Sequence, residues 1–263
     1  MTNEQLNDLW QIFHRFQKSR EKKYAPKINT ALKSQINQFI TAKRNGASDM
    51  QALDKVTAFD LWVTLKPLYR DAGITYGAKV IANIRKQKAR MPIGFNELMI
   101  QLLNRYFEIE LLNNVEDITQ TTRDLIRNIM VEAYPLGLSF DEIVKKMEVT
   151  GFTAKRARLI ARTETVTASN TGGMLAAKTT GLKMNKVWIS AQDNRTRRVP
   201  RDKFDHLHMN GVTIAAEDKF NVTGELMDFP GDRKTGASAG NICNCRCTHG
   251  YIPLRENGRL VRV

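Results

Sequence analysis

The sequence Asn241-Ile242-Cys243-Asn244-Cys245-Arg246-Cys247-Thr248-His249 contains all three cysteines of the 263-residue chain and one of its four histidines. A second cluster, Asp205-His206-Leu207-His208, supplies two more histidines. Cysteine and histidine side chains bind soft metals and carry nucleophilic or proton-transfer chemistry. Their concentration in one window, which begins near Trp188, predicts a site around which the C-terminal part of the chain is organised.

The spacing of the cysteines leaves two interpretations open. Structural zinc sites usually place two residues between paired cysteines, whereas here a single residue separates neighbours. Alternate side chains of an extended segment point the same way, so Cys245 and Cys247 could share one face and join a distant histidine in a zinc site. The alternative is that the cysteines are small buried hydrophobic residues at a β-turn, which we favour for Cys243. The candidate zinc ligands are His206, Cys245, Cys247 and Asp193.

The composition excludes some classes of protein. A length of 263 residues permits one large domain or two ordinary ones, and 42% hydrophobic residues suffice for a core. No window approaches 18 consecutive apolar residues, so we expect no transmembrane helix. The N-terminus lacks the basic start and apolar run of a signal peptide. We therefore expect the protein in a reducing cytoplasm, where cysteines are metal ligands or reactive thiols rather than disulfides.

The charge of the chain suggests a polyanionic partner without proving one. The net charge is +14, and residues 151–263 carry 19 Lys/Arg against 10 Asp/Glu. Both halves of the chain are basic, which is typical of proteins that bind DNA, RNA or an acidic protein surface. A soluble protein with many lysines would show the same excess, and charge alone does not separate the two interpretations.

Apolar periodicity predicts that residues 1–180 are almost entirely helical. Pro26 is expected to start a helix, Pro67 to kink or break one, and Ser139 with Glu142 to form a capping box. Gly151 is expected to end a helix and Thr153 to cap the next. Strands are predicted at 186–190 and 211–214, with weaker candidates at 220–222 and 248–252, and a loose tail over 255–263. The predicted class is α+β, with a helical region at 1–150 and a small, loop-rich α+β domain at 151–263.

Charged residues of the C-terminal part allow several roles. Arg195, Arg197, Arg198 and Arg201 could bind the phosphates of a nucleic acid, or could fold back onto Asp193, Asp202 or Asp205 in ion pairs. Arg162 and Glu164 lie about 200° apart on a helix and are expected to dock loops separately. The cluster Asp205-His206-Leu207-His208 is similar to metal-dependent nucleases of the His-Asn-His type, in which one histidine is a general base. Asn221 and His249, however, do not fit a helix that follows a hairpin.

The ordered set of motifs over roughly 153–252 resembles the phage Mu F-like minor head proteins, also called phage head morphogenesis proteins. The residues that carry the resemblance are Arg162, Glu164, Trp188, Asp193, Arg195, Arg197, His206, Gly211, Asn244, Cys245, Arg246 and Cys247. Many relatives have further Cys or His residues in the loop equivalent to 195–206, where this chain has arginines and one histidine. A complete set of four zinc ligands is therefore not implied.

The resemblance implies a virion protein of a tailed phage or prophage, present in few copies and associated with the portal. Such a protein acts in head assembly inside the head, after a period in the host cytoplasm, and some relatives are implicated in DNA packaging or delivery. Its implied partners are the portal protein, capsid or scaffold proteins and packaged DNA, without a membrane. The family's core domain is not known for an enzyme activity. A metal-dependent nuclease using Asp205, His206 and His208, and a nucleic-acid-binding protein outside the virion, are the alternatives.

Overall fold

The computed structural model describes residues 1–86, 94–150 and 154–263. Its helices are α1 (Asn3–Arg44), α2 (Asp49–Asp54), α3 (Phe59–Lys86), α4 (Phe95–Ala133), α5 (Phe140–Thr150), α6 (Ala154–Lys178) and α7 (Ala239–Ile242), with a 3₁₀ turn at Tyr134–Leu136. Its strands are β1 (Met184–Ile189), β2 (Thr213–Ala215), β3 (Phe220–Val222), β4 (Glu225–Met227), β5 (Thr248–Pro253), β6 (Arg255–Glu256) and β7 (Arg259–Leu260). The predicted α+β class, with helices first and small sheets in the C-terminal part, is confirmed.

Two helices are longer than predicted because proline does not interrupt them. Pro26 lies inside α1 and Pro67 lies inside α3. A proline inside a helix removes one backbone hydrogen bond and crowds the carbonyl four residues earlier. Around Pro26, which is exposed, the apolar residues Ala25 and Ile28 are buried, and their packing offsets that cost. The predicted helix start at Pro26 is therefore wrong, and Pro67 does not end α3.

The start of α5 follows the sequence-based expectation. The backbone N–H of Ser139 donates to Glu142 Oε2 at 2.8 Å, and the N–H of Glu142 donates to Ser139 Oγ at 3.4 Å. This reciprocal pair is the predicted capping box, and it satisfies two N–H groups at the end of the helix. Gly151 and Thr153, predicted to end α5 and to cap α6, lie outside the described residues.

The chain divides into two compact units, and each is discontinuous in sequence. Unit 1 comprises Met1–Arg20, Leu68–Tyr106 and Arg162–Val263, and unit 2 comprises Glu21–Pro67 and Phe107–Ala161. Helices α1, α3, α4 and α6 each supply residues to both units. The domain boundary at 150/151 stays a prediction, and residues 151–153 are not described.

Unit 2 is helical and has a hydrogen-bonded polar group in its interior. The side chain of Gln35, on α1, is fully buried. Its Nε2 donates to Thr57 O at 2.9 Å and to Thr119 Oγ1 at 2.8 Å, while its Oε1 accepts from Thr122 Oγ1 at 3.0 Å. A buried amide is tolerated when its donors and acceptor are satisfied. Gln35 therefore fixes α1 against α4 within this unit.

Unit 1 is built around an antiparallel sheet of order β2-β1-β5. Side chains of the central strand alternate between two faces. Val187 and Ile189 pack with Leu6 of α1 on one face. Trp188 lies on the other face, in a second apolar cluster that includes Phe220, Ile242, Cys245 and Cys247. The cysteine-containing turn is thus part of the core beside the sheet.

Helices α3 and α6 approach each other very closely within unit 1. A Cβ atom placed on Gly172 would lie 2.1 Å from Gly73 O, and one on Gly77 would lie 2.9 Å from Gly172 O. Glycine at these positions lets the two backbones meet, because any larger side chain would overlap backbone atoms. This contact fixes the position of α6 relative to the rest of unit 1.

The C-terminal tail is ordered rather than loose, which corrects the sequence-based expectation. Strands β6 and β7 form a hairpin, and Leu182 pairs with Arg262 in an isolated bridge. The N–H of Val263 donates to Gly181 O at 3.0 Å. Backbone hydrogen bonds hold most of this arrangement, and Arg255 Nη1 adds one side-chain hydrogen bond to Gly258 O at 2.9 Å.

Candidate metal centre

From Arg162 onward, α6 buries an unusual number of polar side chains. Asn170 Nδ2 donates to Pro230 O at 2.7 Å and to Cys247 O at 3.2 Å, and Thr248 Oγ1 donates to Asn170 Oδ1 at 2.8 Å. Thr167 Oγ1 donates to Gly231 O at 2.9 Å. Buried polar groups of this kind are stable when paired, so Thr167 and Asn170 of α6 hold the loops around the site by hydrogen bonds.

Arg162 and Thr163 of α6 both contact Asn244. Arg162 Nη1 donates to Asn244 Oδ1 at 2.5 Å, and the N–H of Asn244 donates to Thr163 Oγ1 at 2.9 Å. Asn244 has φ of 61°, in the left-handed region that asparagine tolerates better than most residues. These contacts set the path of the chain immediately before Cys245.

Glu164 is 1% exposed and holds a second loop. Its Oε1 accepts from Arg233 Nη2 at 2.9 Å, and its Oε2 accepts from the hydroxyl of Tyr69 on α3. A buried carboxylate requires such partners because its desolvation is costly. Arg162 and Glu164 therefore dock separate loops, as the sequence predicts, and Glu164 is not a surface charge.

Asp193 does not join the candidate metal ligands. Its carboxylate accepts both terminal nitrogens of Arg246, with Arg246 Nη2 2.7 Å from Asp193 Oδ1. The hydrogen bond and charge of Arg246 hold the pKa of Asp193 well below its usual range. The N–H of Trp10, on α1, donates to Arg246 O at 3.2 Å. Asp193 thus neutralises a guanidinium that is 6% exposed, and has no oxygen directed to the cysteines.

The arginine loop makes several internal contacts. Arg197 Nη2 donates to Cys243 O at 2.5 Å, and its Nε lies 3.6 Å from Asp202 Oδ2. Arg201 donates to Asn194 O and to Thr196 O. Arg195 lies 3.7 Å from Asp193, with its side chain 65% exposed, and Arg198 is exposed. The predicted ion pairs are therefore formed by Arg197 with Asp202 and by Arg195 with Asp193, while Arg201 binds backbone carbonyls. The side chains of Arg195 and Arg198 are exposed.

The structure brings His206, Cys245 and Cys247 together. His206 Nδ1 lies 3.5 Å from Cys245 Sγ and 3.6 Å from Cys247 Sγ, and the three candidate ligand atoms lie within 4.8 Å of one another. All three residues are buried. Cys243, by contrast, is exposed and outside the cluster. Among the described residues, this is the group of metal-ligand side chains that converges on one point.

The neighbouring groups shift the protonation of the cluster. Hydrogen bonds from Cys247 and the charge of His206 lower the pKa of Cys245, whereas burial raises the pKa of Cys247. Burial acts to lower the pKa of His206, but the adjacent Cys245 and Asn241 raise it overall. The backbone N–H of Cys247 also donates to Cys245 Sγ at 3.4 Å. The surroundings therefore favour a thiolate at Cys245.

Asn241 orients the imidazole and was missed by sequence reasoning. His206 Nε2 lies 2.6 Å from Asn241 Oδ1, while Asn241 Nδ2 donates to Glu225 Oε2 at 3.0 Å. Because a carboxylate accepts only, the amide nitrogen must face Glu225 and the amide oxygen must face His206. Nε2 is then protonated, which in neutral imidazole leaves the Nδ1 lone pair facing the sulfurs. Asn241 begins the sequence that contains the three cysteines, but no sequence pattern marks it as the partner of a histidine.

Two further motif residues shape the site. The ring of Trp188 stands edge-on to His206, with centroids 5.5 Å apart and planes at 88°. Gly211 has φ of 82°, which favours glycine, and its N–H donates to Trp188 O at 2.9 Å. The hydrogen bond between Gly211 and Trp188 joins the two ends of the segment between β1 and β2, which contains His206.

The residues proposed for a nuclease do not form a common site. His206 is 2% exposed and is paired with Asn241 and the cysteines. His208 is exposed, and its N–H donates to Asp205 Oδ1 at 2.9 Å, so Asp205 caps a turn. His249 is buried on β5 and its Nε2 lies 3.0 Å from Tyr251 Oη. A general base must reach a proton of the substrate, and His206 has no such access.

Comparison with known proteins finds one family that matches part of the chain. Residues 124–249 match the family described as phage Mu protein F like protein. Residues 124–249 are thus similar to phage Mu F-like proteins, which supports the resemblance that the motif residues carry. The matched region contains the motif residues described above and extends N-terminally beyond the region of resemblance into α4. The match supports a likeness of this region to phage head morphogenesis proteins.

One curated relative also matches part of this chain. It is NAD(+)--arginine ADP-ribosyltransferase EFV of Enterococcus faecalis, 29% identical over 133 residues. The match covers 49% of this chain and 25% of that relative, so the chain spans about a quarter of the relative's length. No solved structure matches at a significant level. Within the described ranges, none of the helices has an apolar stretch of the length that a membrane span requires.

Proposed function

We propose that this protein is a non-enzymatic minor head protein that associates with the portal of a tailed phage or prophage. The observation that supports this proposal is that several motif residues are buried and make contacts within unit 1. Glu164, Trp188, His206 and Arg246 are buried, and each contacts another part of unit 1 rather than solvent. These contacts stabilise the fold, and the similarity of residues 124–249 to phage Mu F-like proteins points to head assembly.

Portal association and a place inside the head are the finer parts of this proposal. They are tested by co-expressing the full chain with the portal protein of the same phage and measuring co-purification, with the major capsid protein as the control partner. Specific retention of the portal protein is expected. Virions should contain the protein in few copies by quantitative mass spectrometry. Normal heads from a deletion phage, together with the absence of the protein from wild-type virions, would overturn the proposal.

Contact with packaged DNA is a separate part of the proposal. It is supported by the net charge of +14 and by Arg195 and Arg198, which face solvent. A basic surface that binds the DNA backbone releases condensed counterions, and the free energy gained by that release falls as the salt concentration rises, so the affinity falls with salt. The double variant Arg195→Gln/Arg198→Gln should bind a DNA duplex more weakly and with a shallower salt dependence than wild type. Equal binding by both proteins would exclude this loop as the contact.

The absence of an enzyme activity is testable against two reactions. Plasmid DNA with Mg²⁺ or Mn²⁺ should remain intact, and cleavage that disappears in His206→Ala would establish the nuclease alternative. Labelled NAD⁺ with an arginine-rich acceptor protein should give no transfer above a heat-inactivated control. Transfer by the purified chain would contradict the non-enzymatic proposal, because the named activity of the relative would then extend to this region.

A further inference from the structure

We propose that His206 Nδ1, Cys245 Sγ and Cys247 Sγ bind one Zn²⁺ ion, with a water molecule as the fourth ligand. The distances are the first support. Bond lengths of about 2.3 Å for Zn–S and about 2.0–2.1 Å for Zn–N, at a tetrahedral angle, place sulfur and nitrogen about 3.5 Å apart. The observed separations of 3.5 and 3.6 Å match the two nitrogen–sulfur edges of a zinc tetrahedron, and all three ligand atoms lie within 4.8 Å of one another.

Hydrogen bonding alone accounts poorly for this arrangement. A ring nitrogen offers either one lone pair or one hydrogen in the plane of the imidazole. His206 Nδ1 can therefore form one good hydrogen bond, yet two sulfurs lie at nearly equal distances from it. A shared cation interacts with both sulfurs and with the nitrogen at the same time. The ligand types also fit, because thiolate and neutral imidazole are the groups that zinc prefers.

The surroundings of the ligands favour the metal-binding form of the histidine. Asn241 Oδ1 accepts the Nε2–H of His206, and Glu225 fixes the orientation of the amide. Zinc-bound histidines commonly donate their second ring N–H to such a partner, which sets the tautomer and the direction of the ring. The N–H of Cys247 supports the sulfur of Cys245. The site thus has an outer shell as well as three ligands.

Charge balance also favours a divalent ion. Two thiolates, a neutral imidazole and Zn²⁺ sum to zero, so the buried centre would carry no net charge. The nearby guanidinium of Arg246 is already neutralised by Asp193. Burying an uncompensated charge is costly, and the metal-bound state avoids it. The proposed ion requires no further acidic ligand, which is consistent with the separate role of Asp193.

A small cavity next to the ligands provides the fourth position. Its volume is about 10 Å³, and its lining includes Ala191, Thr196, Asn244 and all three ligands. That volume holds about one water molecule. The ion would cross-link the segment between β1 and β2, which carries His206, to the turn before β5, which carries the cysteines. Its role would be to stabilise unit 1, and this inference does not rest on the proposed function.

The test measures metal on the purified full chain. Wild type, reduced and reconstituted with Zn²⁺, should retain about one zinc per chain after desalting, because the three ligands converge in the folded state. Cys243→Ser, which changes the exposed cysteine, is the matched control and should retain the same amount. Cys245→Ser and His206→Ala should lose it. Wild type that is folded by circular dichroism yet holds no more zinc than Cys245→Ser would overturn the proposal.

Two further measurements use only proteins that keep all three ligands, so they test the site even if a ligand variant fails to fold. Co²⁺ added to metal-free wild type and Cys243→Ser should give sulfur-to-cobalt charge-transfer absorption and the visible bands of tetrahedral cobalt. Chelation should lower the melting temperature of both proteins, and zinc should restore it. Absence of these bands, with a melting temperature that does not respond to chelator, would exclude the site.

The variant Asn241→Ala tests whether Asn241 positions His206 for the metal. It should weaken zinc affinity about 10- to 100-fold in a dye competition assay, as the loss of a hydrogen-bond partner of a metal ligand commonly does. Unchanged affinity would show that Asn241 does not position His206.

Discussion

Arg246 and Asp193 form a two-point ion pair in which both terminal nitrogens of the guanidinium meet the carboxylate, with Arg246 Nη2 2.7 Å from Asp193 Oδ1. The pair links the loop after β1 to the turn before β5. Arg246 stands between two buried cysteines in sequence, yet its side chain pairs with Asp193 while the cysteines approach His206. The same turn therefore places its thiols beside His206 and its guanidinium beside Asp193.

Replacing Asp193 with asparagine should destabilise the protein in a pH-dependent manner. A charged hydrogen-bonded pair contributes about 1.5–3 kcal/mol, and Asp193→Asn should lower the free energy of unfolding by that order at pH 7. The folded-state pKa of Asp193 is depressed, so its contribution is present above the unfolded pKa of about 3.9 and is lost as pH falls below it. Urea unfolding at several pH values measures this. The difference from wild type should shrink below about pH 4, and the exposed control Asp218→Asn should show little difference at any pH.

Removing the partner of Glu164 should be more costly than removing its charge. Arg233→Met leaves the buried carboxylate of Glu164 without its guanidinium, and breaking a buried pair in this way costs about 3–5 kcal/mol. The double variant Arg233→Met/Glu164→Gln removes the charge as well and should recover part of that loss. Thermal unfolding of wild type, Arg233→Met, Glu164→Gln and the double variant gives the double-mutant cycle. Additive losses would show that the two side chains are not coupled.

Alanine at Gly172 should be far less tolerated than alanine at its neighbour. The new Cβ at residue 172 would meet the backbone of Gly73, which cannot move without separating α3 from α6. The expected loss exceeds the about 1–3 kcal/mol typical of overpacked side chains. At Gly173 the nearest atom is a side-chain methyl of Val80 at 3.2 Å, so Gly173→Ala should cost much less. Soluble yield and melting temperature of the two variants compare them directly, and equal stability would contradict the close approach.

Pro26 should be a position where substitution stabilises the protein. Pro26→Ala restores a backbone N–H inside α1, where proline is about 3 kcal/mol less favourable than alanine. Local adjustment of the helix and the greater freedom of the unfolded chain reduce the expected gain to about 1–2 kcal/mol. Pro135→Ala, in the 3₁₀ turn where proline is well placed, is the matched control and should give no gain. If Pro26→Ala leaves the melting temperature unchanged or lowers it, the backbone of α1 already accommodates the proline ring without strain.

Features encoded over a few residues were predicted well from the sequence. The capping box at Ser139, strand β3 and the change from helices to strands after residue 180 depend on local patterns of polarity and propensity. The continuity of α1 through Pro26 was not predicted, because packing of Ala25 and Ile28 on the flanking turns outweighs the local preference. The C-terminal hairpin was missed because its strands are two residues long and have no apolar alternation.

The candidate site was predicted in part. The cysteine spacing and a distant histidine were sufficient to suggest that His206, Cys245 and Cys247 converge, and the structure brings them together. The sequence could not show that Asp193 would pair with Arg246, since that choice depends on which side of the turn each group faces. It also gave no signal for Asn241, whose role depends on its contact with a histidine 35 residues away.

The polar face of α6 has a consequence for how the protein folds. Its hydrogen bonds to the loops join residues 60 to 82 positions apart in sequence. The loops that they hold contain little regular structure and cannot adopt their native paths until α6 is in place. Chains dominated by contacts of this range fold slowly, because loop-closure entropy is lost before the contacts form. We therefore expect α6 to act as a template on which the C-terminal loops assemble last, with a slow final phase in refolding.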